Sequence, residues 1–260
     1  MRTAIVVVAL ICVAVGSTAA LAADRTHSAG STTGAGSPSS EQLEQAVERR
    51  LHQDRALRGL EVSVARNDVT LTGYVQSLWE KNEAQRRALD VRGVGNVVSA
   101  IDVPVGEDQR IADEVGKAIV RYPFYTIWDE IGGRVDSGIV TLSGRVTPGR
   151  DKARELFERI AKVPGVQGVE MDIRVLSPSS GDARIRRLIA RRLVTSSHFE
   201  RFRTMRNPPF HIIVNHSIVT LIGYVQSEIE RIEMQRVVAQ TPGVLRVENQ
   251  LQALTLESET

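Results

Sequence analysis

Apolar and polar residues alternate in three pairs of short runs along the chain, and a polar turn separates the two runs of each pair. The second runs are VTLTGYVQS from Val69, VTLSGRVTP from Val140 and VTLIGYVQS from Val219. Two alternating runs joined by a short turn containing Asn, Asp or Gly are typical of a β-hairpin. Repetition of one pattern at a nearly constant interval predicts an array of small units rather than one large domain.

After each hairpin the apolar period changes from two residues to that of a helix. We predict that one face of this helix is buried through Ala84, Ala88 and Leu89 in the first unit, Leu156, Ile160 and Ala161 in the second, and Met234, Val238 and Ala239 in the third. Another amphipathic helix opens each unit, with Ser40 as the predicted N-cap of the first. A final strand closes each unit, and the right-handed crossover rule places it parallel to the VTL strand.

The predicted fold class is therefore α+β, with three tandem α-β-β-α-β units that each pack two helices on one face of a three-stranded mixed sheet. The units span residues 40–105, 107–176 and 181–255. Two glycines recur in every unit. We expect the first either to prevent a clash with the packed helix or to adopt backbone angles that only glycine reaches readily, and the second to form a left-handed helix C-cap. These structural glycines are Gly73, Gly144 and Gly223, followed by Gly93, Gly165 and Gly243.

The pattern V-x-L-x-G, a helix, G-V-x-x-V and a strand resembles the BON domain, named for bacterial OsmY and nodulation proteins. VTLSGRV with VPGVQGVEMDIRV, and VTLIGYVQS with TPGVLRVENQLQA, carry the resemblance, whereas VRGVGNVV of the first copy lacks the proline. The resemblance implies a non-enzymatic periplasmic or envelope-associated module. Members bind phospholipid or membrane surfaces, protect the envelope under osmotic stress, or act as chaperones, and they share no catalytic residues.

The N-terminal segment, residues 1–23, has a basic start, an apolar core and small residues near Ala22, as a secretory signal peptide has. We predict export to the periplasm. An uncleaved membrane anchor is the alternative, because the apolar stretch is almost long enough to span a bilayer. Residues 24–39 are rich in Ser, Thr and Gly and are predicted to form a flexible linker. Cys12 is the only cysteine, so a cleaved chain would contain no thiol.

The sequence contains no recognisable catalytic constellation. Its five histidines occupy unrelated positions in the repeats, and it has neither a nucleophile elbow nor a phosphate-binding loop. GVGNVV begins like a dinucleotide-binding fingerprint, but Val98 stands where the third glycine belongs. We therefore predict a protein that is not an enzyme and that uses no cofactor and no metal.

The third unit is strongly basic although the formal net charge of the chain is only +2. Eight arginines fall between Arg184 and Arg206, and only Asp182 and Glu200 lie nearby. A basic amphipathic helix followed by phenylalanines favours binding to an anionic phospholipid surface. The candidate residues are Arg184, Arg187, Arg191, Arg192, Arg201, Arg203 and Arg206. The alternative is that the arginines merely solvate the helix or pair with acidic residues of the other two units. Nucleic acid is disfavoured by export and by the lack of a recognition motif.

The second unit concentrates aromatic residues in a chain that is only 4% aromatic. They are Tyr122, Phe124, Tyr125 and Trp128. The favoured interpretation places them in the core or in a seam between units. The alternative is an exposed patch that docks an envelope protein or a membrane, which would suit a protein-interaction or chaperone-like module.

Overall fold

A computed structural model of the chain describes residues 39–205 and 207–254. The predicted signal peptide and nearly all of the predicted linker lie outside these residues. The first unit contains α1 (Ser40–His52), β1 (Glu61–Ala65), β2 (Asp68–Tyr74), α2 (Leu78–Leu89) and β3 (Asn96–Asp102). The second contains α3 (Asp108–Val120), β4 (Glu130–Asp136), β5 (Ile139–Val146), α4 (Lys152–Ile160) and β6 (Gly168–Val175). The third contains α5 (Ser180–Thr195), β7 (Phe210–Asn215), β8 (Ile218–Val225), α6 (Glu228–Ala239) and β9 (Arg246–Ala253).

The three sheets have the same topology, which confirms the predicted fold. In each sheet the VTL strand is central, antiparallel to the strand before it and parallel to the strand after the helix. Val140, for example, pairs with Val135 on one side and Val169 on the other. Val140 and Leu142 are fully buried, because alternate residues of a strand face the same side, here the side that the helices cover.

The opening helix of the first unit begins one residue earlier than its sequence predicts. Ser39, not Ser40, is the N-cap. Its hydroxyl accepts a hydrogen bond from the Gln42 backbone N–H at 3.2 Å, and the Gln42 side chain accepts one from the Ser39 N–H at 3.0 Å. This reciprocal capping box satisfies two N–H groups that the helix itself leaves without partners, and so favours Ser39.

The predicted buried stripe of the second helices is correct at seven of its nine positions. Leu89 is 53% exposed and Ala239 is exposed as well, so both predictions were wrong. Each is the last residue of its helix, and a helix turns by about 100° per residue, which carries the residue after Ala88 or Val238 away from the sheet. Ala161 is the equivalent residue of the second unit. It comes directly after Ile160, the last residue of α4, and it is buried.

The first recurring glycine of each unit avoids a clash with the neighbouring strand and not, as we expected, with the helix. A Cβ on Gly144 would lie 2.0 Å from the Glu130 carbonyl oxygen, and one on Gly223 would lie 2.4 Å from that of Pro209. Both oxygens belong to the backbone at the start of the antiparallel neighbour. The φ angle of Gly144 is +144°, which side chains also disfavour. The glycine therefore permits close approach of the two strands.

The second glycine also differs from its predicted role as a helix C-cap. Helix α4 ends at Ile160, and a separate turn follows in which the Val166 N–H donates to the Val163 carbonyl at 3.3 Å. Pro164 and Gly165 occupy the two central positions, and Gly165 has a φ angle of +96°. Proline followed by a residue of positive φ is typical of a type II turn. Gly93 and Gly243 have the same place in the equivalent turns, with φ angles of +105° and +96°.

Each unit has its own hydrophobic core, and two seams join the units. In the first seam Trp79 packs against the core of the second unit, and its backbone N–H donates to the Ala161 carbonyl at 2.9 Å. In the second seam Ile127 and Trp128 pack against the core of the third unit, and the Ile212 N–H donates to the Ile127 carbonyl at 2.6 Å. No helix in the described part of the chain is long and apolar enough to cross a membrane.

Candidate functional site

Helix α5 exposes three arginines on one face. Arg184, Arg187 and Arg191 are separated by three and four residues, a spacing that places side chains next to one another along a helix. The opposite face of α5 is buried in the core of the third unit. Among the hydrogen bonds and ion pairs of the described residues, none of the three guanidinium groups has a partner. We refer to these three residues as the arginine ridge.

The arginine ridge has no counterpart on the opening helices of the other two units. Helix α5 contains five arginines and one acidic residue, whereas α1 and α3 each contain more acidic than basic residues. The one acidic residue of α5, Asp182, is 1% exposed. Its carboxylate accepts hydrogen bonds from the backbone N–H groups of His216 and Ser217 at 2.9 and 2.8 Å. It is therefore committed to the hairpin turn and faces away from the ridge.

Three of the other candidate arginines make contacts within the third unit. Arg192, the immediate neighbour of Arg191, is half-buried and donates to the Val237 carbonyl at 3.4 Å. Arg201 binds Gln226 and the carboxylate of Glu230. Arg203 pairs with Glu200 at 3.3 Å, and both side chains are well exposed. Arg206 lies outside the described residues. Of the six candidates that the structure describes, three thus lie together on one open face.

Arg186, which belongs to the same basic run of the sequence, is half-buried and hydrogen-bonded within the third unit. Its Nη2 donates to the Val214 carbonyl at 2.8 Å, and its Nε is enclosed without a hydrogen-bond partner among the described residues. Burial lowers the pKa of this guanidinium below its ordinary value, while the nearby carboxylates of Asp182 and Asp129 oppose that shift. This arginine therefore contributes to the packing of the third unit.

The aromatic residues of the second unit do not form one exposed patch. Tyr122 is fully buried, its hydroxyl donates to Glu155 at 2.8 Å, and burial raises its pKa to about 12. Tyr125 is 8% exposed and its hydroxyl lies 3.1 Å from Nε2 of His211. Trp128 is half-buried in the second seam. Only Phe124 is exposed, and the guanidinium carbon of Arg150 lies 3.7 Å from its ring centre.

A buried carboxylate that the sequence did not reveal holds the segment carrying these aromatics. Asp129 is 0% exposed and accepts hydrogen bonds from Nζ of Lys152 at 2.7 and 2.8 Å. It also accepts from the N–H and hydroxyl of Thr147 at 2.8 Å, and from those of Thr126 at 3.0 and 2.9 Å. The sequence offered no sign of this role, because an aspartate beside Glu130 looks like a solvated side chain. We call residues 123–129 the seam segment.

Within the described ranges no group of three or more His, Cys, Asp or Glu side chains is arranged to hold a metal ion. His211 and His216 do not approach one another as a ligand pair would: His211 contacts Tyr125, and the His216 backbone binds Asp182. The chemistry that the site offers is the attraction of exposed guanidinium groups for anions.

The comparison with protein-family models agrees with the repeated fold. The family model described as "BON domain" matches three ranges, 39–104, 107–177 and 181–255. No curated protein matches the chain significantly. Two solved structures of CdsD, a structural protein of the type III secretion system of Chlamydia trachomatis, are similar at 14% identity. The first, a C-terminal domain, covers 82% of this chain and 97% of its own with a TM-score of 0.23; the second covers 81% and 91% with a TM-score of 0.24.

Proposed function

The chain belongs to the BON domain family, with three tandem copies, and from this we propose that it is a non-catalytic envelope module that binds membranes containing anionic phospholipid. The arginine ridge of the third copy makes the contact. The observation that supports this proposal is the set of three exposed guanidinium groups without partners among the described residues. The ridge distinguishes the third copy, whereas the glycines and valines of the family pattern occur in all three.

The charge of the ridge suits reversible attachment to a membrane surface. A basic residue close to an anionic bilayer contributes about 1 kcal/mol, so three contribute about 3 kcal/mol. Arginine suits phosphate groups because its planar fork can donate two parallel hydrogen bonds. Val194, three residues after Arg191, is 47% exposed and adds a small apolar contact. Attachment of this strength is peripheral and weakens with salt.

Vesicle flotation tests the proposal. We would use residues 24–260, because the apolar segment before residue 24 would bind vesicles by itself. We expect flotation with vesicles containing phosphatidylglycerol and little with vesicles of phosphatidylcholine alone. Changing Arg184→Glu, Arg187→Glu and Arg191→Glu together should abolish flotation, since the ridge then repels the surface.

The matched control reverses the same number of charges on the equivalent helix of the second unit. It combines Arg110→Glu, Lys117→Glu and Arg121→Glu, three exposed residues on or next to α3. This control should still float, although its net charge equals that of the ridge variant. Equal loss of flotation in both variants would show that only the total charge matters. Normal flotation of both variants would overturn the proposal.

The protein-interaction alternative has less support. It relied on an exposed aromatic patch, but Tyr122 and Tyr125 are buried and Trp128 is half-buried in the second seam. Phe124 alone offers an open ring, and Arg150 covers one side of it. A single partly covered ring is a small contact for an unfolded client, so membrane attachment remains the function that the surface favours.

A further inference from the structure

An apolar cavity of about 360 Å³ opens between the second and third units, next to the arginine ridge. Its wall is formed mainly by the residues Ile127, Leu193, Val194, Phe199, Phe202 and Phe210. This volume lies within the range of about 300–1,000 Å³ that is usual for small-molecule sites. A cavity with such a wall offers a water molecule few hydrogen bonds, and it therefore favours an apolar ligand.

The walls of the cavity are held by contacts that do not depend on a ligand. On one side the rings of Phe202 and Phe210 meet edge to face with centres 4.9 Å apart. On the other side Thr126 and Ile127 belong to the seam segment, which the buried carboxylate of Asp129 fixes through Thr126. The site is thus formed in advance, which reduces the loss of conformational entropy on binding.

The rim of the cavity combines apolar and cationic groups. Val194 and Met205 line the cavity and are 47% and 48% exposed, so the cavity is open to solvent beside them. Arg203 also lines it, and its side chain is 48% exposed. The pairing of Arg203 with Glu200 at 3.3 Å is a contact between exposed side chains, and such pairs are weak. Arg203 can therefore turn to an anionic group at the rim.

Helix α5 connects the cavity to the arginine ridge. Ala190 and Val194 line the cavity, and Arg191 lies between them in the sequence. An amphiphile with its chain in the cavity would therefore place its head group beside the basic side of α5. We propose that this cavity binds one acyl chain of an anionic lipid, with Arg203 at the head group. The inference rests on the proposed function and extends it from the membrane surface to a single lipid molecule.

A chain-length series tests this inference. Saturated lysophosphatidylglycerols of increasing length would be titrated, below the concentration at which they aggregate, into residues 24–260. Binding would be followed by calorimetry and by the fluorescence of Trp128 in the adjoining seam. Each added methylene should lower Kd about fourfold until the cavity is full, after which Kd should stay constant. A Kd that does not depend on chain length, or that never reaches a plateau, would overturn the inference.

Two variants and a control make the result specific. Val194→Trp places a large ring at the rim, and Ala190→Leu adds volume inside, so each should weaken binding of the longest soluble lipid at least tenfold. Val175→Trp is the matched control, because Val175 is 56% exposed at the end of β6 and does not line the cavity. Circular dichroism would establish that all three are folded. Equal binding by Val194→Trp, Ala190→Leu and Val175→Trp would contradict the assignment.

The outcomes separate this inference from the proposed function. If vesicle flotation depends on the arginine ridge but the chain-length series is flat, the cavity is not an acyl site and the proposed function stands. If the series shows its plateau but the ridge variant floats normally, the cavity is an acyl site and the ridge is not the membrane contact. Arg203→Gln should weaken the binding of lysophosphatidylglycerol and leave the binding of lysophosphatidylcholine unchanged. Equal effects on both would remove Arg203 from the site.

Discussion

The buried ion pair between Asp129 and Lys152 gives the sharpest test of how the seam segment is held. Lys152 is 6% exposed, and its Nζ contacts only Asp129 and the Thr147 hydroxyl among the described hydrogen bonds. Asp129→Ala would leave this ammonium group buried without its counter-charge. Removing one partner of a buried pair destabilises a protein by about 3–5 kcal/mol. We expect a loss of that size in the free energy of unfolding.

The opposite change should be milder. In Lys152→Met the carboxylate of Asp129 keeps four donors from Thr126 and Thr147, so the loss should be about 1–3 kcal/mol. The double variant Asp129→Ala, Lys152→Met leaves neither charge buried. It should therefore be more stable than Asp129→Ala alone, and the coupling energy between the two sites should be about 2 kcal/mol.

Urea unfolding followed by the fluorescence of Trp128 would measure these energies, since Trp128 is the neighbour of Asp129 in the chain. The only other tryptophan is Trp79, so a Trp79→Phe background isolates this emission. Two results would refute the reasoning. One is a stability of Asp129→Ala within about 0.5 kcal/mol of the parent, and the other is a double variant whose loss equals the sum of the single losses.

Two further predictions concern the sheet and the second seam. Gly144→Ala should destabilise the second unit by about 3–5 kcal/mol, because the new Cβ would lie 2.0 Å from the Glu130 carbonyl oxygen and would separate β4 from β5. In Gly73→Ala the nearest contact would be 3.2 Å, so the free energy of unfolding should fall by only about 1–3 kcal/mol. Urea unfolding followed by circular dichroism would measure both losses. Burial lowers the pKa of His211 below 6.5, with the Glu130 charge opposing. As the pH falls, the unfolded chain therefore takes up this proton before the folded chain does, and stability should decline below about pH 6.5. His211→Gln should flatten this decline in thermal melts, whereas His198→Gln, at an exposed position, should not.

The sequence was sufficient to predict the repeated fold, because strands, turns and helices leave local patterns in it. Alternation over a few residues identifies a strand, and a polar turn between two such runs identifies a hairpin. The same method failed at Leu89 and Ala239, where periodicity was extended to the last residue of a helix. Of the two reasons that it gave for Gly144, the clash with the helix was wrong, since the obstacle is a carbonyl oxygen of another strand. Such an oxygen lies close in space but leaves no mark in the local pattern.

The seams could not be predicted from the sequence, because they depend on how the units pack against one another. Trp79 is the second residue of α2, a place that Ile229 takes in α6, and Ile229 is 65% exposed. Equivalent positions therefore have different surroundings, which no property of a single unit determines. Asp129 is a second example, because its partners Thr147 and Lys152 lie just after β5 and at the start of α4, far from it in the sequence.

The arginines show the same limit at the candidate site. Composition identified α5 as basic, but Arg191 and Arg192 are neighbours with different roles: one is exposed and the other donates to a carbonyl. Charge counting cannot separate them, whereas helix geometry and burial can. Since glycine and valine positions are shared by all three units, a property that only one unit has must come from residues that differ. The exposed face of α5 and the seam segment are such differences, and they border the same cavity. The surface and the cavity therefore belong to the third unit and to its junction with the second unit, which contributes the seam segment.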